Sequence, residues 1–273
     1  MDTYKELLLK SIGREAYDKA TKSFDILGDI AVIDAEPRYA KRFADALMQT
    51  NPRINTVLRK GGAVSGEYRT RKYYYVRGRR NFDALYKENN CTFNFDVRKV
   101  FFSPRLSFER ERVASASKNG ENVMVMFSGV GPFAVEIAKR HKNSEVVGIE
   151  LNRRAHDYAV KNALLNKVSN FRPVNGDARR LAGIYASFAD RIVMPLPMSS
   201  YSFLGAALKM ARKRCVIHFY AFGGVDDPFT AQTKKVKAFL QRNGWKMRIL
   251  AKRVVRTYSA REVEIVLDIL ASG

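Results

Sequence analysis

Hydrophobic and polar positions along the 273 residues follow two rhythms. Up to about Val97 the pattern mixes short elements of both kinds. Leu7–Ala20 reads as a basic helix and Phe24–Ile33 alternates like a strand. Arg38–Met48 is helical again, entered just after Glu36-Pro37, where a proline suits a first turn. Ile54–Leu58, Glu67–Arg77 and Thr92–Val97 are rich in β-branched or aromatic residues and read as strands.

From about Arg105 onward short apolar runs alternate regularly with helices. Asn122–Phe127 is an apolar strand that runs straight into Gly129-Val130-Gly131. A helix over Pro132–Arg140, a strand over Glu145–Ile149, a helix over Arg154–Leu165 and a strand over Phe171–Val174 follow. Next come a strand over Arg191–Met194, a helix over Phe203–Arg212 with Ser199, Ser200 and Ser202 as cap candidates, a strand over Arg214–Phe219 and a helix over Phe229–Asn243. Lys246–Tyr258 and Glu262–Leu270 close the chain as two long strands. Runs of this kind predict a parallel sheet covered on both faces. The last two strands have no helix between them and must pair antiparallel. Such an α/β arrangement resembles the Rossmann-like class I methyltransferase fold; an NAD-dependent dehydrogenase needs a crossover helix before its last parallel strand. No Gly/Ser linker, internal repeat or low-complexity tract interrupts the chain. The change of rhythm divides it into a smaller α+β domain, residues 1–104, and an α/β domain, residues 105–273.

Charge changes the picture. Forty-nine Lys and Arg against 27 Asp and Glu give a formal net charge of +22 and a pI near 10.1. A surplus of this size repels itself unless a polyanion neutralises it, and phosphate backbones do so with release of counterions. Nucleic acid is the expected partner; a salty or hot cell, or a ribosomal association, is the plainer explanation. Cys91 and Cys215 form no metal spacing and no disulfide framework. The charged start has no apolar core for a signal peptide, and no apolar run has the length of a membrane span. A cytoplasmic protein is expected, with no membrane and no metal, acting as a monomer.

Candidate chemistry gathers at the ends of the first three strands of the alternating region, where open α/β sheets bind ligands. Gly129 and Gly131 permit a tight turn and close approach of backbone to ligand, and Pro132 starts the helix; a plain turn would look the same. Glu150, about 20 residues beyond the glycine turn, is placed to accept from two ribose hydroxyls, or to cap the next helix. Asp177 of Asn175-Gly176-Asp177-Ala178 can accept from an exocyclic amine of adenine, or cap in its turn. Three such signals on successive strand ends favour a nucleoside cofactor. With no P-loop lysine, a nucleoside triphosphate is disfavoured.

The run Val100–Arg112 (VFFSPRLSFERER), together with FSGVGPF, GIELN, NGDAR, DRIVMPLP, VIHFY and RTYSAREVEIVLDI, resembles the archaeal and eukaryotic tRNA guanine-37 N1-methyltransferase family, from about Tyr68 to the end. The resemblance implies methyl transfer from S-adenosylmethionine to N1 of the guanine 3′ of the anticodon, a tRNA partner read at its anticodon stem-loop, and a small substrate-recognising domain ahead of the catalytic one. Within matching motifs Glu109 falls on the family's general base and Arg69 on the arginine that steadies guanine O6. Phe127, Gly129, Val130, Gly131, Ile149, Glu150, Asn152, Asp177 and Ala178 fall on the cofactor pocket. Arg69, Arg71, Arg105, Pro197 and Tyr258 fall on substrate contacts, and Pro195 on a catalytic position. The chemistry agrees: N1 must lose its proton to become a nucleophile, a carboxylate takes it, and a guanidinium stabilises the charge that builds on O6. Taken alone, Glu109 reads as a helix salt-bridge partner of Arg105, Arg110 or Arg112, and Arg69 as one more phosphate contact in a basic strand.

Three departures from the family pattern stand out. Pro195 occupies the place of a usual asparagine and cannot donate a hydrogen bond. Val125 stands where an acidic residue commonly precedes the glycine turn, and the N-terminus is short for a separate domain that reads the tRNA elbow. Pro195 opens three alternatives: a bifunctional enzyme that also C-methylates the tricyclic wyosine precursor, an aminocarboxypropyl transferase, or a tRNA-binding module without catalysis. Tyr73, Tyr74 and Tyr75 are expected to alternate between core and solvent, with base stacking as the functional reading. His218, within an apolar strand, is expected to be a satisfied core residue.

Overall fold

The computed structural model describes residues 2–62, 66 and 70–273, which form two compact units, Met1–Arg105 and Leu106–Gly273. In the first unit, helices α1 (Tyr4–Ile12) and α2 (Arg14–Lys19) precede strands β1 (Phe24–Leu27) and β2 (Ile30–Ile33). Helix α3 (Pro37–Thr50) then leads to β3 (Thr56–Lys60), β4 (Tyr73–Gly78), β5 (Asp83–Glu88) and β6 (Cys91–Asp96). The expected single helix over Leu7–Ala20 is broken at Gly13, whose φ of 80° is outside the helical range. The expected strand over Phe24–Ile33 is a hairpin, folded between Leu27 and Ile30 so that β1 and β2 pair antiparallel. The four strands run in the order β1-β2-β3-β4, with β2 and β3 parallel across α3. Leu8, Ile33, Phe43, Leu47 and Val57 fill the core between sheet and helices.

The pair β5–β6 is a separate ribbon, turned through Asn89 and Asn90, both at positive φ. That is the two-residue turn that matches strand twist, and Asn tolerates it. Strand β4 starts at Tyr73, and Tyr73, Tyr74 and Tyr75 pair in unbroken register with Lys60, Arg59 and Leu58; the irregularity, at Val76, lies past them. Tyr74 and Tyr75, on the edge strand of this sheet, nevertheless both reach the surface, under Arg59 and Arg80 respectively.

The second unit is a seven-stranded sheet in the order β12-β13-β11-β10-β7-β8-β9. Helix α4 (Ser107–Ala116) leads to β7 (Asn122–Met126), α5 (Pro132–Arg140), β8 (Glu145–Glu150), α6 (Arg153–Leu165), β9 (Phe171–Asn175), α7 (Ala178–Leu181) and β10 (Ala189–Met194). Helix α8 (Leu204–Met210), β11 (Ala211–Gly224), α9 (Thr230–Arg242), β12 (Lys246–Thr257) and β13 (Glu262–Ser272) complete it. Strands β7 to β11 are parallel to their neighbours; β13 slots antiparallel between β11 and β12. Ser199, Ser200 and Ser202 cap no helix. The Ser200 hydroxyl donates to the carbonyls of Met194 and Leu196, because a 3₁₀ turn over Ser200–Phe203 carries the chain into α8 instead.

Alternation along the strands assigns the two faces. Met124, Met126, Ile192, Met194, Ile217, Phe219, Leu267 and Ile269 point to one core with Leu204 and Leu208 of α8 and Val236 and Leu240 of α9. The intervening positions turn to the α4 side. A Cβ at Gly148 would lie 2.8 Å from the Phe171 ring and 3.0 Å from Ser128, so the first two strand ends meet without room for a methyl group. Gly148→Ala is therefore expected to cost about 1–3 kcal/mol and lower the melting temperature by several degrees. Thermal denaturation followed by circular dichroism checks this, and an unchanged midpoint would show that the contact yields freely.

Candidate active site

At the carboxyl edge of the parallel strands, β7 runs into a turn that the chain can form only with left-handed residues: Phe127, Gly129 and Gly131 have φ of 57°, 57° and 89°. Ser128 N–H donates to the Ile149 carbonyl, which ties this turn to the end of β8. Glu150 spans the same gap. One carboxylate oxygen accepts from Gly129 N–H at 2.8 Å and the other from Asn152 N–H at 2.7 Å. Burial pushes the Glu150 carboxyl above the ordinary carboxylate range, opposed by the N–H groups of Asn152, Gly129 and Leu151. Asn152 caps α6 through Arg154 N–H, so Glu150 is not a helix cap. Asp177 does cap α7, accepting from Arg179 N–H at 2.7 Å through one oxygen.

The side chains of Val130, Ile149 and Ala178 are buried in the core, so these positions present backbone to the edge. Asn162, fully buried, donates to the Val130 carbonyl at 2.9 Å and holds the glycine turn from below. Its place on α6 gives no signal in the sequence. The positive φ of Phe127 turns its ring onto Phe203, 4.7 Å away edge to face.

Glu109 lies on α4, 4 % exposed. The Tyr220 hydroxyl donates to it at 2.5 Å, and Arg112 grips both its oxygens at 2.7 and 2.8 Å. Of the three arginines expected as salt-bridge partners, Arg112 is the one found on Glu109. Arg110 faces Glu136 of α5 at 3.6 Å, both side chains buried. Arg112 also donates to Asp268 of β13 at 2.6 Å, and Asp268 meets His218 Nδ1 at 2.6 Å. Arg191 donates to His218 Nε2 at 2.7 Å and pairs with Glu121. Since the guanidinium can only donate, Nε2 accepts and the proton sits on Nδ1, facing Asp268. Burial holds His218 below its ordinary pKa, and His218 and Arg112 hold the Asp268 carboxyl at about 2. Burial and the adjoining Glu109 carboxylate raise the Tyr220 phenol, which stays a donor.

Strand register places this carboxylate. Val193 pairs with Val125 and Met194 with Phe219, so Phe127, Pro195 and Tyr220 stand level at the carboxyl edge, on three adjacent strands. Glu109, held by Tyr220, belongs to the same edge. Pro195 and Pro197 are half-buried in the loop that follows β10. Tyr258 follows β12, its ring 4.4 Å from that of Phe222 and half exposed. In the first unit Arg105 is engaged by Asp25 at 2.7 Å. Arg71 has a buried Nε with no hydrogen-bond partner among the described residues. Arg69 lies outside the described residues. Among those residues no cluster of His, Cys, Asp and Glu is placed to hold a metal ion, and no helix is long and apolar enough to cross a membrane.

Two family models match the chain: the TYW2 N-terminal domain over residues 4–81 and the TRM5/TYW2 methyltransferase domain over residues 84–250. The chain is 35 % identical to the Pyrococcus abyssi protein named tRNA (guanine(37)-N(1))-methyltransferase Trm5b, over 99 % of this chain and 81 % of that one. The crystal structure of that relative superposes with a TM-score of 0.89, covering 100 % of this chain and 81 % of the other. Identity is 31 % to the Saccharolobus solfataricus protein named tRNA 4-demethylwyosine(37)-methyltransferase Taw21, over 92 % of this chain and 94 % of that one. A complex of aTrm5 with tRNALeu superposes with a TM-score of 0.87 at 28 % identity, covering 98 % and 78 %.

The buried chain makes stability depend on acid in two steps. His218 is held below 6.5, so the unfolded chain takes up a proton that the folded one refuses, and stability falls as pH drops below about 6.5. Asp268 lies at about 2 against an ordinary 3.8; its contribution, about 2 kcal/mol, is complete above 3.8 and lost as pH falls toward 2. Calorimetry is expected to show a melting temperature that declines from about pH 6.5 downward and more steeply below about pH 4. The upper decline should be absent in His218→Asn. A wild-type midpoint that stays constant between about pH 7 and 5 would reject a neutral buried His218.

Proposed function

The chain belongs to the TRM5/TYW2 methyltransferase family, and from that we propose that it transfers a methyl group from S-adenosylmethionine to N1 of guanine 37 in tRNA. The observation that carries this reading is the buried Glu109, fixed by Tyr220 and Arg112 at the strand edge that also bears the Gly129–Glu150 contact. The residues at that edge fit a nucleoside cofactor. Glu150 is a desolvated carboxylate with acceptor capacity left beyond its backbone donors, as a ribose diol requires, and Asp177 has one oxygen free of its capping bond. The turn over Phe127, Gly129, Val130 and Gly131 presents backbone rather than bulk, and Asn152, Ile149 and Ala178 complete the floor.

Bound S-adenosylmethionine supplies an electrophilic methyl group. Glu109 takes the N1 proton of the base, while Arg69 offsets the charge that builds on O6. Tyr220 and Arg112 keep the carboxylate in one orientation, so that little reorganisation is needed when the proton arrives. Pro195 shapes the wall of the base pocket without bonding the base. Arg71, Arg105, Pro197 and Tyr258 contact the RNA around it; for Arg105 this means leaving or sharing Asp25. The first unit recognises the tRNA, the excess of basic residues supplies the backbone affinity, and the activity is cytoplasmic.

One observation favours a second reading. Pro195 removes a donor that a guanine-specific pocket would use, and the Taw21 relative is named for a tricyclic base. The same site then C-methylates the wyosine precursor as well, since that carbon also becomes nucleophilic by losing a proton.

Nucleoside mass spectrometry of unmodified transcript tRNA, incubated with enzyme and S-adenosylmethionine, is expected to show 1-methylguanosine at position 37. No methylated nucleoside would refute an active enzyme. Glu109→Gln, which keeps the acceptor for Tyr220, is expected to cut single-turnover methylation by about a hundredfold to ten-thousandfold with tRNA affinity nearly unchanged. A rate within threefold of wild type would remove Glu109 from its role.

Pro195→Asn separates the two substrates. It is expected to preserve guanine methylation and depress methylation of the tricyclic base, both read from the same nucleoside digests. No parent activity on the tricyclic base, or equal effects on both substrates, would reject the second reading and leave guanine N1 as the target.

A further inference from the structure

The amino ends of the parallel strands, opposite the catalytic edge, hold an open cavity of about 790 Å3. Its acids are already satisfied. Glu121 pairs with Arg191, Asp190 with Arg212 at 2.9 Å, and Asp268 with Arg112 and His218. What is left over is positive: Lys118, Arg214 and Arg248 line the cavity, are exposed, and make no ion pair among the described residues. Register puts two of them on one face. Val216 and Arg248 both lie opposite Leu270, and Arg214 is two residues before Val216. Their backbones are two strands and two residues apart, about 12 Å at 4.8 Å per strand and 3.3 Å per residue, which two arginine side chains can close upon a single anion. Beneath them Val216, Leu250 and Leu270 form an apolar floor.

We propose that this cavity is a second phosphate site, which binds one backbone phosphate of the tRNA at a distance from the base being modified. The inference rests on the tRNA reading given above. Three unpaired cations around one opening repel one another unless an anion joins them, and the planar guanidinium fork matches a phosphodiester in two parallel bonds. Strand β7, five residues long, separates this end from the glycine turn by about 17 Å, farther than a single nucleotide 37 reaches. The phosphate held here therefore belongs to the body of the RNA.

The double variant Arg214→Gln/Arg248→Gln tests the site with full-length tRNA. Binding is measured from about 50 to 200 mM salt, beside melting temperature and S-adenosylhomocysteine affinity, which are expected to stay at wild-type values. The slope of log affinity against log salt should become shallower by about one, the loss of one phosphate contact, with affinity at the low-salt end reduced several-fold. An unchanged slope and affinity, or a flat slope in the wild type, would overturn the proposal, whereas no measurable affinity of the wild type for tRNA would overturn tRNA binding itself. Inorganic phosphate provides the second probe. If calorimetry shows it binding the wild type and not the variant while the tRNA slope is the same in both, the cavity takes a free anion and the proposal fails.

Discussion

Arg112 binds two acids at once, and much of the second unit depends on that bridge. One acid, Glu109, is on its own helix; the other, Asp268, is on β13, 156 residues away. Removing one partner of a buried ion pair leaves an uncompensated charge and costs about 3–5 kcal/mol, more than the pair contributes against an apolar replacement. The bridge is therefore a constraint on position more than a source of net stability. It fixes α4 against the strands, and with it the carboxylate that the proposed chemistry needs. From Glu121 through Arg191, His218, Asp268 and Arg112 to Glu109 and Tyr220, every polar group answers the next. The fold and the proposed chemistry draw on the same contacts there.

The parallel sheet was legible because its signal is local. Apolar strands such as Asn122–Met126 pass straight into glycine turns, and each helix follows within a few residues. Helix α4 was not legible from apolar periodicity. Its buried face carries Glu109 and Arg110 along with Val113 and Ala114, so the apolar periodicity that marks other helices is missing. Strand β5 was missed for a related reason: Asp83–Glu88 turns Leu85 outward and buries Glu88, which blurs the alternation, and only Asn89-Asn90 hints at the turn.

The candidate site divides in the same way. The contact of Gly129 with Glu150 could be anticipated from the spacing of two strand ends, since the parallel register makes them neighbours. Of the groups that hold Glu109, Arg112 was among the expected partners, three residues along the same helix. Tyr220, and the Asp268 that anchors Arg112, could not be anticipated, since they arrive from strands whose order in the sheet is not a local property. The tyrosine run shows the limit of period-two reasoning. On the edge strand β4 two consecutive rings, Tyr74 and Tyr75, reach the surface although their register is unbroken.

Strand β13 lies inside the sheet, yet it follows every other strand in sequence. A chain emerging from the ribosome makes α4, β10 and β11 long before it makes Asp268. Until then Arg112 and His218 lack the acid they share, and the flank of β11 that β13 will cover stays open. Vectorial synthesis thus leaves this unit with an unpaired strand flank and an incomplete ion chain for as long as the stretch from β11 to β13 takes to appear, which at about 5–20 residues per second is several seconds. During that interval the nascent chain has its glycine turn but not the clamp that holds Glu109, so assembly of the proposed site is timed by β13.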